Sequence, residues 1–310
     1  IIEAPAHGWG SGETILAFLI AAAALSAFVV RERQTPQPMF DLALLRDLRF
    51  SAASSGIAVC FFAMFGVAFL LAQYLQMVLG YSPFDAGLLM LPLPLTIMVV
   101  APQAPRLVAR FGISRVVPAG MTLLTAGLVG LSFLGADTPI GFMYVAMIPM
   151  MAGMAATMSP FTAMIMTSIP PERAGMGSAT NDTTRELGGA LGVAVLGSVI
   201  TTQFRSASLA GIDGLPGSAQ ALARSGLPGS LQAARDLPAN LSGALVVDAR
   251  HAFVDGFGIA ALVGAGVVAL SAVLITLVLR RVSTERMGSA VLHPSGEDPI
   301  EQLNEVPLPG

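Results

Sequence analysis

Lysine is absent, and charge of either sign is scarce: arginine, aspartate and glutamate together make up 11% of 310 residues. Soluble domains carry about 25% charged residues, so this chain could not keep a globular surface hydrated. Soluble enzymes and disordered chains are excluded. The formal net charge of −3 offers no basic field to phosphate, which removes nucleic-acid binding. The single cysteine, Cys60, rules out an intrachain disulfide, and its apolar neighbours predict a packing thiol. His7, His251 and His293 all lie outside the apolar stretches. No Cys/His/carboxylate cluster, phosphate-cradling glycine loop or nucleophile elbow occurs. A membrane metalloprotease, an ATP-driven pump and a bound metal or organic cofactor are therefore not expected, and the chain is read as a non-enzyme.

What the chain does have is apolar length: 54% hydrophobic residues and a mean hydropathy of +0.74. About 20 mostly apolar residues cross the ~30 Å hydrocarbon layer. Seven stretches qualify, at about 14–30, 50–79, 86–103, 116–135, 139–167, 187–204 and 256–279. The sequence predicts an all-α polytopic membrane protein with seven transmembrane helices. Glu13 before the first stretch, and Arg31 and Arg33 after it, argue against a signal peptide. The all-arginine basic set suggests a GC-rich bacterial coding sequence, and the opening on Ile1 predicts a piece of something longer.

Arginine placement predicts orientation. If residues 1–13 are extracytoplasmic, the cytoplasmic side receives Arg31, Arg33, Arg46, Arg49, Arg106, Arg110, Arg115, Arg173, Arg280, Arg281 and Arg286. The opposite side receives Arg205, Arg224, Arg235 and Arg250. This asymmetry puts the C-terminus in the cytoplasm of a bacterial inner (plasma) membrane. A cytoplasmic linker is expected at 31–49. A long external loop is expected at 203–250, loosely ordered rather than folded into interfacial helices, and a disordered cytoplasmic tail at 281–310.

Polar groups at membrane depth are functional candidates. Asp182, Arg185 and Glu186 enter the sixth span together. At helical spacing two carboxylates flank one guanidinium, as either a structural ion pair or part of a solvent-filled gate. Gln73 and Gln76 sit three apart and either bond between helices or line a polar cavity. Asp85 and Asp255 fall at the external ends of their spans. Each is a helix-end charge or a proton-coupling site, with the macrodipole sufficient to explain Asp85. Gly188 and Gly192 form a small-xxx-small face, and Pro92, Pro94, Pro149 and Pro160 interrupt spans.

Two runs resemble a known family. Leu75 to Pro92, with Gly80-Tyr81-Ser82-Pro83-Phe84-Asp85-Ala86-Gly87 at its centre, looks like the span–turn–span signature of a major facilitator superfamily branch. That branch is the fourteen-span drug:proton antiporters, EmrB/QacA-like. Pro170-Pro171-Glu172-Arg173-Ala174-Gly175, continuing through Asn181, Arg185, Gly188, Gly189, Gly192 and Gly197, resembles the same branch's loop and penultimate span. Arg106, Arg110, Gly112 and Arg115 are similar to the superfamily's cytoplasmic basic loop. The resemblance implies that 14–30 is an extra central helix. It makes 50–280 the six-helix C-terminal domain, two inverted three-helix repeats, whose N-terminal six-helix partner is missing. It further implies proton-driven efflux of hydrophobic or cationic small molecules by alternating access, with no cofactor beyond the proton gradient. The lipid bilayer and the substrate are then its partners. Gln73, Gln76 and the Pro149/Pro160 span would line the cavity, and 116–135 and 256–279 would face lipid. Two rivals are an exporter of one endogenous metabolite or antibiotic, and a non-transporting scaffold or sensor.

Overall fold

Helix starts follow local capping chemistry. The computed structural model describes residues 10–35, 42–170, 173–207, 212 and 217–292, with no side-chain description for 281–292. Helix α1, Gly12–Gln34, begins where the Ser11 hydroxyl accepts the Thr14 N–H at 3.2 Å. Helix α2, Leu48–Val78, begins where Asp47 Oδ1 accepts the N–H of Arg49 at 2.7 Å. Helix α3, Pro83–Phe111, begins with Pro83 in its first turn and a reciprocal cap: Ser82 donates to Asp85 Oδ2 at 2.7 Å and accepts from the Asp85 N–H at 3.2 Å. The remaining long helices are α4 (Ile113–Leu131), α5 (Ile140–Thr167) and α6 (Ala174–Ser206). Two short helices follow, α7 (Gly217–Ala223) and α8 (Leu227–Ala234), and then α9 (Ala239–Leu292).

Seven helices are long and apolar enough to span a membrane, and the described residues contain no strand. The chain is an all-α multi-pass membrane protein. The α1 flank is unlike the rest: Leu16, Leu19, Ile20 and Leu25 are all more than half exposed, and among the described elements it packs mainly on the short turn Leu42–Arg46. From α2 onward the helices form one bundle. The broadest pairings are α2 with α6 and α4 with α5, while α9 packs across α2, α4 and α6. Exchanging α2 with α5, α3 with α6 and α4 with α9 leaves the α4–α9 pairing in place and turns each of the others into another observed one. That pseudo-twofold pattern is what two three-helix repeats produce.

Hydrophobic burial does not drive helices together in lipid, so close backbone approach must. Across α2 and α6 a Cβ at Gly188 would strike the Ala58 carbonyl, and one at Gly192 would strike the Phe62 carbonyl. Across α4 and α5, Gly120 and Gly153 stand against each other's backbone in the same way. Two tyrosines make polar links across the bundle: the Tyr74 hydroxyl donates to the Gly135 carbonyl at 2.9 Å, and Tyr144 to the Leu89 carbonyl at 3.0 Å. Cys60 is fully buried with its Sγ 3.6 Å from Thr157 Oγ1, so it packs, as its apolar setting predicts.

Several expected boundaries shift. Within 203–250 the described residues are largely helical rather than loosely ordered. The turn between α7 and α8 is tight, with Ser230 donating to the Ala223 carbonyl at 2.5 Å, and Leu227, Ala233 and Ala234 are buried. Small residues that read as loop punctuation instead let two short helices touch. The last helix starts inside the same segment, at Ala239, and continues to Leu292, so the segment from 281 to 292 is helical rather than disordered. Residues 1–9 and 293–310 lie outside the described residues. The expected basic loop is also helical. α3 runs to Phe111 and α4 resumes at Ile113, leaving Gly112 alone between them at φ +80° and ψ 152°. Only glycine adopts that backbone readily. Gly112→Ala is expected to cost about 1–3 kcal/mol, read as a lowered thermal unfolding midpoint, whereas Gly87→Ala, with open space around its Cβ position, should not lower it.

Candidate functional site

Along α2, Phe61, Phe65, Phe69 and Gln73 follow each other at four-residue intervals and so stack on one stripe. In the middle of a span that is half buried, Phe65 and Phe69 are each 44% exposed. The rings of Phe61 and Phe65 lie 5.9 Å apart and stacked. Beside this ladder a cavity of about 330 Å³ opens between α2, α3 and α5. Met64, Met90, Met147, Met150 and Met151 supply much of its wall, together with Phe65, Leu91 and Pro94, and no charged residue contributes. Unbranched thioethers repack around varied shapes, so such a wall suits apolar ligands of different outline. The break at Leu91, where its N–H turns back to the Leu88 carbonyl at 3.1 Å ahead of Pro92, belongs to this wall.

One end of the ladder carries Gln73, which lines a second cavity of about 190 Å³ with Phe69, Val193, Thr201, Phe204 and the α7–α8 turn at Ser225–Pro228. Gln76 does not line it. The reason is local: residues Tyr74–Val78 form a π-turn, so three residues fall further short of a full turn than in an α-helix, and the two amides diverge. The widened turn is held from α9, where Arg250 Nε donates to the Met77 carbonyl at 3.2 Å.

The other end carries Arg185, and here the structure corrects an expectation. No ion pair joins Arg185 to Asp182 or Glu186 among the described residues. Both carboxylates are exposed, while the guanidinium turns toward α2 and rests 5.4 Å from the Phe61 ring centroid. The register explains it. Asn181, Arg185, Gly188 and Gly192 share the face that packs on α2, whereas Asp182 and Glu186 sit beside that face. Buried on this face, Asn181 Oδ1 and Arg185 Nε have no hydrogen-bond partner among the described residues, nor has Ser54 Oγ on α2. One turn before the Gly188–Ala58 contact, the register sets Ser54 opposite Thr184, level with these groups.

The other candidates are spread out. Asp85 is exposed and engaged with Ser82 as a helix cap, and Asp255 is exposed on α9. Arg106, Arg110 and Arg115 are exposed around Gly112, remote in sequence and element from the ladder. No group of three or more His, Cys, Asp or Glu is placed to hold a metal among the described residues. The aromatic ladder and the methionine wall escaped the sequence reading. Their signal was present as phenylalanine at every fourth position of a charge-free span, but an apolar run does not disclose which of its faces stays open.

A multi-pass helical bundle with pseudo-twofold helix pairing and an open, aromatic, methionine-walled face defines a class of membrane transport folds. Residues 4–193 match the Major Facilitator Superfamily, and the chain belongs to that family. It is 38% identical over 64% of its length to the multidrug resistance protein Stp of Mycobacterium tuberculosis. It is 33% identical over 91% of its length to the tetracenomycin C resistance and export protein of Streptomyces glaucescens. It is 26% identical over 90% of its length to the multidrug efflux pump LfrA of Mycolicibacterium smegmatis. The chain spans 37%, 53% and 55% of the length of these curated relatives.

Proposed function

We propose that this chain is the C-terminal part of a fourteen-span, EmrB/QacA-like drug:proton antiporter of a bacterial plasma membrane. In that reading 50–280 is the six-helix domain, α1 an extra central helix, and the missing N-terminal six-helix domain closes the open face. The observation that carries the reading is the Phe61–Phe65–Phe69 ladder, exposed at Phe65 and Phe69 at mid-span beside the methionine-walled cavity. A flat apolar ligand stacks on such rings, with gains of about 0.5–1.5 kcal/mol per aromatic contact beyond area burial. Gln73 offers it an amide at one end and Arg185 a cation at the other. The names of the relatives support export of drugs and antibiotics, and the arginine asymmetry supports a cytoplasmic C-terminus.

Alternating access then has this domain rocking against its partner while substrate sits near the midplane. The α7–α8 turn, seated over Gln73 and Thr201, narrows one mouth of the path. For proton coupling Asp255 is the stronger of the two acids proposed, because Asp85 is engaged as a cap. A narrower reading, export of one antibiotic-like metabolite, is favoured by the alignment over 91% of the chain to an export protein named for a single compound. Breadth of a competition panel separates the two.

The test is ethidium transport into everted vesicles containing the full-length protein. Uptake should require an imposed proton gradient, and Phe65→Ala should lower it about tenfold with expression unchanged. Gradient-independent uptake would sink antiport, and an undiminished Phe65→Ala variant would remove the ladder from the substrate path.

A further inference from the structure

We propose that the groove between α3 and α4, at their Gly112 turn, binds an anionic phospholipid. The groove encloses about 310 Å³ between Leu107 and Phe111 of α3, Ala119 and Leu123 of α4, and Ala156 of α5 behind them. Phe111 is 45% and Leu123 40% exposed, so the groove opens sideways, and its lining shares no residue with the methionine-walled cavity.

Its walls are apolar up to the turn, where the chemistry changes within one residue. Arg115 is itself part of the lining, and Arg110 lies 5.2 Å over the Phe111 ring, directly above an apolar wall. Arg106, one turn earlier, is exposed as well. No ion pair engages these three arginines among the described residues. On the two helices that form the groove, residues 83–131, the sole carboxylate is Asp85, at the far end of α3. Two cations flanking the turn and a third one helical turn along α3, none in an ion pair among the described residues, complement an anion that carries a hydrocarbon chain. Basic pockets between membrane helices recognise anionic headgroups in this manner.

Dimensions select the occupant. From Arg115 to Leu123 the groove follows α4 for ~12 Å, close to one leaflet of a ~30 Å hydrocarbon core. An acyl chain fills that depth while its phosphate stays level with Arg110 and Arg115. A free phosphate would leave the walls uncovered, and a neutral zwitterionic lipid would leave the arginines uncompensated. The Gly112 turn is what makes the site. By using a single residue to reverse the chain, it sets arginines from two helices at one level.

The experiment uses the full-length protein in detergent, titrated with dioleoylphosphatidylglycerol or dioleoylphosphatidylcholine and read by native mass spectrometry and thermal unfolding. Phosphatidylglycerol should be retained and should raise the unfolding midpoint, and phosphatidylcholine should do neither. Arg110→Gln and Arg115→Gln should each weaken retention about fivefold. Ala119→Phe, which fills the groove and keeps every arginine, should abolish it, and so should Leu123→Gln, which makes the wall polar without adding bulk. Each variant is first shown to unfold at the lipid-free wild-type midpoint, and the two are interchangeable for the conclusion. Equal retention of both lipids overturns the proposal. Unchanged phosphatidylglycerol affinity in the groove variants would reduce the arginines to a surface field, and displacement by inorganic phosphate would mean a site for a free anion.

Discussion

Gly192→Val is expected to separate α2 from α6 and cause the largest loss of folded protein of any single change considered. A Cβ there meets the Phe62 carbonyl oxygen, its carbon and its Cα, all backbone atoms that no rotamer change can move. Gly66 faces the same point, 3.0 Å from the Gly192 carbonyl in the position its own Cβ would take, so neither helix has room to retreat locally. Overpacking typically costs about 1–3 kcal/mol where side chains give way, and a backbone clash belongs at or above the upper end. In lipid the penalty is not offset by renewed burial, because a separated helix finds equally apolar tails. Fluorescence-detected size exclusion after a temperature ramp should show Gly192→Val lost at temperatures where wild type is intact. The control is Gly266→Ala on α9, where nothing lies within 4 Å of the added Cβ. Helix propensity alone then acts, and the variant should be neutral or stabilised by up to ~1 kcal/mol. If both variants behave alike, close approach is not what holds α2 to α6.

Arg185→Ala should leave folding near wild type and reduce transport by roughly one to two orders of magnitude, the range of a coupling energy of about 1–3 kcal/mol. The guanidinium caps the aromatic ladder over Phe61, and its Nε, like Asn181 Oδ1 and Ser54 Oγ, is buried without a partner among the described residues. An unsatisfied polar cluster at a helix crossing is costly in one arrangement and relieved in another, which suits an element that changes partners during a cycle. Arg185→Lys should not restore activity, since an ammonium lacks the planar face that stacks on the ring. Proton-driven ethidium transport by the full-length protein reads the effect, with surface expression measured in parallel. A scaffold or sensor would keep its output in the alanine variant, so retained activity favours that rival.

For the first five spans, helix starts expected from apolar length fall within about three residues of the observed ones whether or not a cap is present: α2 starts at Leu48 behind Asp47 against an expected 50, α3 at Pro83 behind Ser82 against 86, and α5 at Ile140 with no side-chain cap against 139. Later starts depart further. The sixth span was expected from 187 because polar residues precede it, yet Ala174 to Glu186 are helical, which carries Asp182 and Arg185 well inside α6. Polarity reports where the bilayer stops and says nothing of where the hydrogen-bond ladder stops. The Gly188/Gly192 face was legible, since four-residue spacing of small residues has one use on a membrane helix. Of the two readings of the carboxylates, the ion pair with Arg185 fails for a related reason: helical spacing makes a contact available without choosing the rotamer, and the guanidinium rests on the aromatic ring across the crossing instead.

By itself the sequence determined that this protein lives in lipid, which stretches cross it, and which faces gather arginine. The bilayer enforces those features on each segment separately, through length, apolarity and charge. Tertiary structure decided which side of α2 stays open, where Arg185 points and what lines the two cavities. Those follow from how α2, α3, α5 and α6 meet, and the contacts that set the meeting join residues far apart in the chain, such as Ala58 with Gly188 and Phe61 with Arg185. Periodicity within one helix cannot encode them.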